Sequence, residues 1–142
     1  MTGEQKAELK VPGAVVKVKQ VELAFSDKQF IVIYEDRGES FLKIYDLKKV
    51  LANGMTKEFV EPIKSIKAPK DHEINCARWG PLDQTIYYCT NRGRLIQLDL
   101  EENSAVMVRD VHKNEIFTIK LTEDFTMLYT CSRDGTCKLL HP

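Results

Sequence analysis

The sequence predicts an all-β protein made of about three consecutive four-stranded antiparallel sheets in an incomplete ring. The main observation is an internal repeat, because residues 73–98 align without gaps on residues 115–140, which lie 42 positions later. Short β-rich runs separated by turn residues fill each repeat, and a glycine recurs in one turn, at Gly93 and Gly135. A period of about 40 to 45 residues with several short strands is typical of the blades of a β-propeller.

The aligned positions keep their chemical character. Apolar residues match apolar residues, a cysteine matches a cysteine and a hydroxyl matches a hydroxyl, as in the pairs Ile74/Ile116, Ile86/Leu128, Cys89/Cys131, Thr90/Ser132 and Leu98/Leu140. A third, more diverged copy lies upstream, where Phe25-Ser26-Asp27 matches Leu121-Thr122-Glu123. Three repeats are therefore expected, the first being the weakest.

The strand signals give the boundaries of the predicted blades. The first covers residues 14–67, with strands at 15–23, 30–34 and 41–45, an excursion with helical periodicity at 47–55, and an outer strand near 59–67. The second covers residues 73–110, and an incomplete third covers 115–140. We expect an outer strand of a preceding blade near residues 6–10.

The strand count also suggests how the chain completes a ring. Closed propellers have about four to eight blades, so we expect this chain to be part of a larger protein. A spare strand near residues 6–10 and a last blade without its outer strand would also allow two copies to exchange strands. Such a strand-exchanged dimer would close a six-bladed ring with two-fold symmetry.

Composition excludes several classes of function. Lys plus Arg and Asp plus Glu both number 21, and no dense basic run is present, so direct, sequence-specific binding of nucleic acid is not expected. The four cysteines contain no Cys-x-x-Cys pair, which favours buried thiols over a metal site or a disulfide framework. With no signal peptide pattern and no membrane-spanning apolar run, we expect a cytoplasmic location and no membrane contact.

Residues 130–140 carry the best local motif, which contains Ser132-Arg133-Asp134-Gly135 and ends in Leu140. This segment resembles the Ser-x-Asp-Gly-x-x-Lys-Leu-Trp signature of the WD-repeat family. In that family a His, a Ser and an Asp join in a buried hydrogen-bond network, and the resemblance assigns these roles to His112, Ser132 and Asp134. The sequence departs from the family where Leu140 replaces its Trp and Arg92 replaces the Asp of the second repeat.

A Ser, a His and an Asp in one repeat also raise the possibility of a hydrolase. We reject an enzyme because the Asp lies in a β-turn and no Gly-x-Ser-x-Gly elbow is present. His72 and His141 have no partners at ligand spacing and are read as surface or loop residues. Catalytic residues, metal ligands and cofactors are therefore not expected.

Trp79, the only tryptophan, ends an inner strand just before Gly80-Pro81. It could pack in the core between blades or serve as an exposed anchor for a partner, and a buried position is the simpler interpretation. Trp79-Gly80-Pro81-Leu82, followed one repeat later by Asp124-Phe125-Thr126-Met127, is similar to the subunit i family of eukaryotic translation initiation factor 3. The similarity runs from Thr2 to Leu140 and is weakest before residue 70.

That resemblance implies the middle blades of a seven-bladed, non-catalytic scaffold. Members of the family contribute to assembly of the 43S pre-initiation complex and to recruitment of messenger RNA. The implied partners are subunits b and g of the same factor and, indirectly, the small ribosomal subunit. The alternative is a WD-repeat adaptor in another complex, such as one in signalling.

Overall fold

The computed structural model of the protein describes residues 3–56 and 58–142. It confirms the predicted fold class, because the strands form three successive antiparallel sheets that do not close into a ring in the described chain. Blade 1 contains β1 (Val16–Leu23), β2 (Gln29–Asp36), β3 (Glu39–Asp46) and β4 (Lys64–Lys67). Blade 2 contains β5 (Ile74–Trp79), β6 (Thr85–Thr90), β7 (Arg94–Asp99) and β8 (Ser104–Asp110). Blade 3 contains β9 (Ile116–Leu121), β10 (Leu128–Ser132) and β11 (Cys137–Leu140).

The internal repeat is preserved in the strand register. Ile86 lies opposite Leu98 in blade 2, and the equivalent residues Leu128 and Leu140 lie opposite each other in blade 3. The same holds for Cys89 with Leu95 and for Cys131 with Cys137. Since a shift of one residue would exchange the buried and exposed faces of a strand, the matching register places equivalent residues on equivalent faces of the two blades.

Two apolar cores fill the spaces between neighbouring blades. The first combines β-branched and leucine side chains of blade 1 with residues of blade 2, namely Ile31, Ile33, Leu42, Ile44, Ile74, Ala77, Trp79 and Ile86. The second joins blade 2 to blade 3 through Cys76, Tyr87, Cys89, Leu95, Ile116, Ile119 and Leu128. Alternate residues of each middle strand therefore point into one of these cores, as expected when a sheet packs one face against a neighbouring sheet.

The two outermost faces of the three-blade array differ. On blade 1, the face with Phe30, Val32, Tyr34 and Tyr45 is covered by side chains of the amino-terminal segment and of the loop after β3, namely Ala7, Leu9, Val11, Leu47, Val50 and Val60. On blade 3, Tyr129 and Leu139 remain 49% and 52% exposed. Nothing in the described residues covers that second face.

The excursion after β3 forms a short helix, α1 (Leu47–Asn53). The Asp46 carboxylate caps it by accepting the backbone N–H of Lys49 at 3.2 Å. Gly54 ends it with φ at 57°, a conformation that glycine adopts without steric cost. The outer strand of blade 1 is shorter than the predicted 59–67, because pairing with β3 begins only at Lys64.

No strand forms near residues 6–10, where the sequence predicts the outer strand of a preceding blade. The apolar side chains of this segment pack on blade 1 instead, and its Glu8 N–H donates to the carbonyl of Gly54 at 3.1 Å. A strand requires a ladder partner, and the described residues provide none here. The strand-exchanged dimer stays a prediction, because its partner edge would belong to a second copy, and Thr2, where the family resemblance begins, lies outside the described residues.

Candidate functional site

His112 lies in the segment between β8 and β9 and connects it to the β10–β11 hairpin. Its Nδ1 is 2.9 Å from the Asp134 carboxylate, and its Nε2 is 2.7 Å from the Thr130 hydroxyl. The imidazole is fully buried. Because a carboxylate only accepts hydrogen bonds, Nδ1 carries a proton, and in the neutral ring Nε2 accepts the hydroxyl proton of Thr130.

Ser132, the hydroxyl that the family resemblance assigns to this network, does not contact the imidazole. Its Oγ donates to the carbonyl of Glu115 at 2.8 Å and accepts the backbone N–H of Asp134 at 3.2 Å. The hydroxyl that lies against Nε2 belongs to Thr130, two residues earlier on β10. The hydroxyl of Thr136 lies 3.0 Å from Nδ1.

Asp134 organises the tight turn between β10 and β11. It accepts the backbone N–H of Thr136 at 2.9 Å, the hydroxyl of Thr136 at 2.6 Å and the backbone N–H of Lys113 at 3.2 Å. These donors, with the Thr136 hydroxyl contributing most and His112 next, hold the pKa of the Asp134 carboxyl well below its usual range. The carboxylate is therefore ionised throughout the physiological pH range.

Carboxylate, imidazole and hydroxyl occur here in the order that activates a nucleophile in hydrolases. Thr130, however, is only 3% exposed, and its hydroxyl already makes the hydrogen bond to Nε2. The arrangement acts as a clamp that fixes the start of blade 3 to its own hairpin.

Blade 2 uses a different contact at the equivalent place. Position 70, which aligns with His112, is a lysine, and Arg92 stands where blade 3 has Asp134. The Arg92 Nε–H donates to the carbonyl of Asp71 at 3.2 Å, so the hairpin turn is still tied to the segment before the inner strand. The connection occurs in both blades, while its chemistry changes from a hydrogen bond between carboxylate and imidazole to a hydrogen bond with the backbone.

The two hairpin glycines have similar backbones and different surroundings. Gly93 has φ at 75° and Gly135 has φ at 84°, both in the left-handed region that glycine tolerates. A Cβ atom added at Gly93 would overlap the carbonyl oxygen of His112, whereas one added at Gly135 would meet no atom within 4 Å. Gly93 is therefore needed for close packing of the turn as well as for its conformation.

Trp79 lies in the core between blades 1 and 2, where it is 1% exposed. Its indole N–H donates to the backbone carbonyl of Glu22 on β1 at 3.1 Å. This hydrogen bond satisfies the polar atom of a buried tryptophan, as the simpler interpretation of the sequence expects.

Side-chain amides join the inner strands of successive blades. Gln20 on β1 makes two hydrogen bonds with the backbone of Ala77 on β5, and Asn75 on β5 donates to the carbonyl of Ile116 on β9 at 2.9 Å. An amide group matches the hydrogen-bonding pattern of a peptide unit, so each one replaces a missing strand neighbour. Neither residue stands out in the sequence pattern, although each lies on a predicted inner strand.

The Asp83 carboxylate, just before β6, joins blade 2 to the turn that follows β1 in blade 1. Asp83 accepts the backbone N–H groups of Phe25 and Ser26, both at 2.9 Å. Two neighbouring N–H groups directed at one carboxylate give strong, charge-assisted hydrogen bonds. Together with the Arg78–Glu22 ion pair at 3.2 Å, this contact fixes the orientation of one blade relative to the next.

Open grooves occur on both the last blade and the junction of the three inner strands. The larger, 520 Å³, lies on the uncovered face of blade 3 and is lined by Thr118, Tyr129, Cys131, Cys137 and Leu139 among others. A second, 280 Å³, lies between Phe25, Trp79 and Leu121. Among the described residues, no group of three or more His, Cys, Asp or Glu side chains could hold a metal ion, and no helix is long and apolar enough to cross a bilayer.

Comparison with known proteins gives consistent relatives. A protein of Dictyostelium discoideum named eukaryotic translation initiation factor 3 subunit I is 28% identical over 136 residues, which cover 87% of this chain. The chain resembles subunit I of eukaryotic translation initiation factor 3. Proteins with the same name from Rattus norvegicus and Homo sapiens are 31% and 34% identical over 100 and 79 residues. No protein-family model matches the chain.

These alignments cover only part of each relative. The matched segment spans 36% of the Dictyostelium subunit I, 28% of that of Rattus and 24% of that of Homo sapiens. On the side of this chain, the rat and human alignments cover 70% and 56% of its residues. The chain therefore spans only about a quarter to a third of the length of the subunit I proteins that it matches.

Proposed function

We propose that this chain forms blades of a non-catalytic scaffold subunit of eukaryotic translation initiation factor 3. The observation that supports this most is the similarity to proteins named subunit I of that factor in organisms as distant as Dictyostelium and Homo sapiens. In this role the blades mediate protein–protein contacts during assembly of the 43S pre-initiation complex and recruitment of messenger RNA. The partners are subunits b and g of the factor and, through them, the small ribosomal subunit.

The geometry of the described residues is compatible with such a scaffold. Both interfaces between blades combine an apolar core with directed hydrogen bonds from Gln20, Asn75 and Asp83. A rigid sheet array holds loops and strand edges in fixed positions, which lowers the entropic cost of binding a partner. The balanced charge favours protein partners over a nucleic-acid backbone, which requires excess positive charge.

A WD-repeat adaptor in another complex is the competing proposal. The propeller signature alone fits it equally well, since one fold serves many unrelated functions. Similarity that extends over 87% of the chain to a subunit I favours the translation factor. The two proposals differ in which proteins the folded chain retains.

The test is affinity purification of the tagged chain from a eukaryotic cytosolic extract, followed by identification of the retained proteins by mass spectrometry. Recovery of subunits b and g, with small-subunit ribosomal proteins that are lost when ribosomes are dissociated, supports the proposal. Recovery of an unrelated complex, with no initiation-factor subunit, refutes it. Gly93→Ala is the matched control, since it disrupts the blade 2 hairpin, whereas Gly135→Ala should retain the same partners.

A further inference from the structure

Cys76 and Cys89 face each other across neighbouring strands of blade 2. They are direct partners in the register of β5 and β6, and their sulfur atoms lie 2.7 Å apart. This separation is within about 0.7 Å of the length of a disulfide bond. Both residues are free cysteines, so the strand pairing has brought two thiols together before any bond joins them.

The pair lies in the core between blades 2 and 3. Cys76 is 5% exposed and Cys89 is 0% exposed. The Cys89 sulfur is also 3.7 Å from the carbonyl of Cys76 and 3.8 Å from the carbonyl of Ile116 on β9. These contacts hold the sulfur of Cys89 in one place, so that a small movement of Cys76 is enough to close the remaining distance.

We propose that Cys76 and Cys89 are an oxidation site of this protein and form a cross-strand disulfide on reaction with hydrogen peroxide. The Cys76 sulfur attacks one peroxide oxygen, the O–O bond breaks, and the products are a Cys76 sulfenic acid and water. The Cys89 sulfur then attacks the sulfenic sulfur, the S–O bond breaks, and a second water leaves with the Cys89 proton. Two thiols are oxidised and one peroxide is reduced to two waters.

The order of the two cysteines follows from their surroundings. Burial raises the pKa of the Cys89 thiol, which disfavours its thiolate as the first nucleophile toward peroxide. Cys76 retains the small exposure that a molecule as small as peroxide needs. A larger oxidant, such as a glutathione disulfide, would have to leave a bulky mixed disulfide in a packed core.

The chain contains an internal comparison. Cys131 aligns with Cys89 in the repeat and lies directly opposite Cys137 on β11. That second pair is on the uncovered face of blade 3, where Cys137 is exposed. If solvent exposure alone determined which thiols are oxidised, Cys131 and Cys137 would react first. If contact between the two sulfur atoms determines it, Cys76 and Cys89 react first.

The folded, full chain can be tested directly. It is treated with hydrogen peroxide, the peroxide is removed, the remaining thiols are blocked with N-ethylmaleimide in guanidinium so that buried thiols also react, and the protein is digested with trypsin without reduction. Cleavage after Arg78 separates the two cysteines, so the disulfide joins the peptides 71–78 and 79–92. We expect this linked pair as the main product, with little alkylated Cys76 or Cys89. Cys131 and Cys137, on peptides 121–133 and 134–138, should be recovered mostly in the alkylated form.

Two outcomes overturn the proposal. One is recovery of alkylated Cys76 and Cys89 after peroxide treatment that oxidises the other pair. The other is formation of the 71–78/79–92 link only after the chain has been unfolded in guanidinium, which would show that the native contact is not responsible.

Single variants provide the control. Cys76→Ser removes the link and Cys137→Ser leaves its yield unchanged, provided that circular dichroism shows both to be folded. If Cys76→Ser fails to fold, the wild-type peptide map alone decides.

Discussion

The side-chain amide of Gln20 pairs with the backbone of Ala77 as a peptide unit would. Its Nε2 donates to the Ala77 carbonyl at 3.0 Å, and its Oε1 accepts the Ala77 N–H at 3.1 Å. The two residues belong to the inner strands of different blades, β1 and β5. One side chain therefore provides the strand-like contact between two separate sheets.

We expect Gln20→Glu to destabilise the chain by about 1 to 3 kcal/mol, because the new carboxylate can accept but cannot donate to the Ala77 carbonyl. The measurement is urea unfolding followed by circular dichroism. Gln5→Glu, on the exposed amino-terminal segment, is the control and should change stability by less than about 0.5 kcal/mol. Equal effects of the two substitutions would contradict the importance of the Gln20 contact.

The two hairpin glycines give a matched pair of variants. Gly135→Ala should cost about 1 to 2 kcal/mol, the strain of a positive φ alone. Gly93→Ala should cost more than about 4 kcal/mol or prevent folding, since its Cβ overlaps the carbonyl of His112. Thermal unfolding of both variants checks this, and similar melting temperatures would show that the turn at Gly93 can relax.

Because the pKa of Asp134 is lowered in the folded chain, the free energy of unfolding depends on pH in the acidic range. A carboxyl with a lower pKa in the folded state contributes stability above its unfolded pKa of about 3.9, and this contribution is lost as the pH falls toward the folded value. Asp134→Asn should therefore lower stability at pH 7 and flatten the loss of stability below about pH 4. Urea titrations of wild type and variant at several pH values test this, with two parallel pH curves as the contradicting result.

Asp83 should stabilise the junction of blades 1 and 2 by accepting two backbone N–H groups. In Asp83→Asn, the amide nitrogen replaces one acceptor and faces an N–H group, so we expect a loss of about 1 kcal/mol. Asp27→Asn is a suitable control, because Asp27 is exposed and has a similar positive φ, 57° against 55°. Hydrogen exchange of the Phe25 and Ser26 amides should rise in the first variant alone.

The blades were predictable because their signals are local and repeated. Alternating apolar residues and turn glycines recur at a fixed spacing, and the register of Ile86 with Leu98 reappears as Leu128 with Leu140. The absence of a strand at residues 6–10 was not predictable from the residues of that segment. A strand forms only when a partner edge is available, and residues 6–10 instead bury Ala7 and Leu9 on blade 1.

The hydrogen-bond network was predicted in part for a similar reason. The family resemblance placed His112, Ser132 and Asp134 in it, and His112 and Asp134 are in contact. Thr130 and Ser132 both project from the same face of β10, so the pattern alone cannot choose between them. In the structure Thr130 bonds to His112, whereas the Ser132 hydroxyl bonds to the backbone of neighbouring segments. Gln20 and Asn75 were missed because polar residues on a strand usually indicate exposure to solvent.

The outer faces of blades 1 and 3 differ in what a further sheet would have to displace. A further sheet could settle on the Tyr129 and Leu139 side without displacing any described residue, since both are about half exposed. On the opposite side it would first have to expel Leu9 and Val11 from the Phe30 face. A further sheet can therefore pack on blade 3 without rearrangement, whereas packing on blade 1 would require Leu9 and Val11 to move.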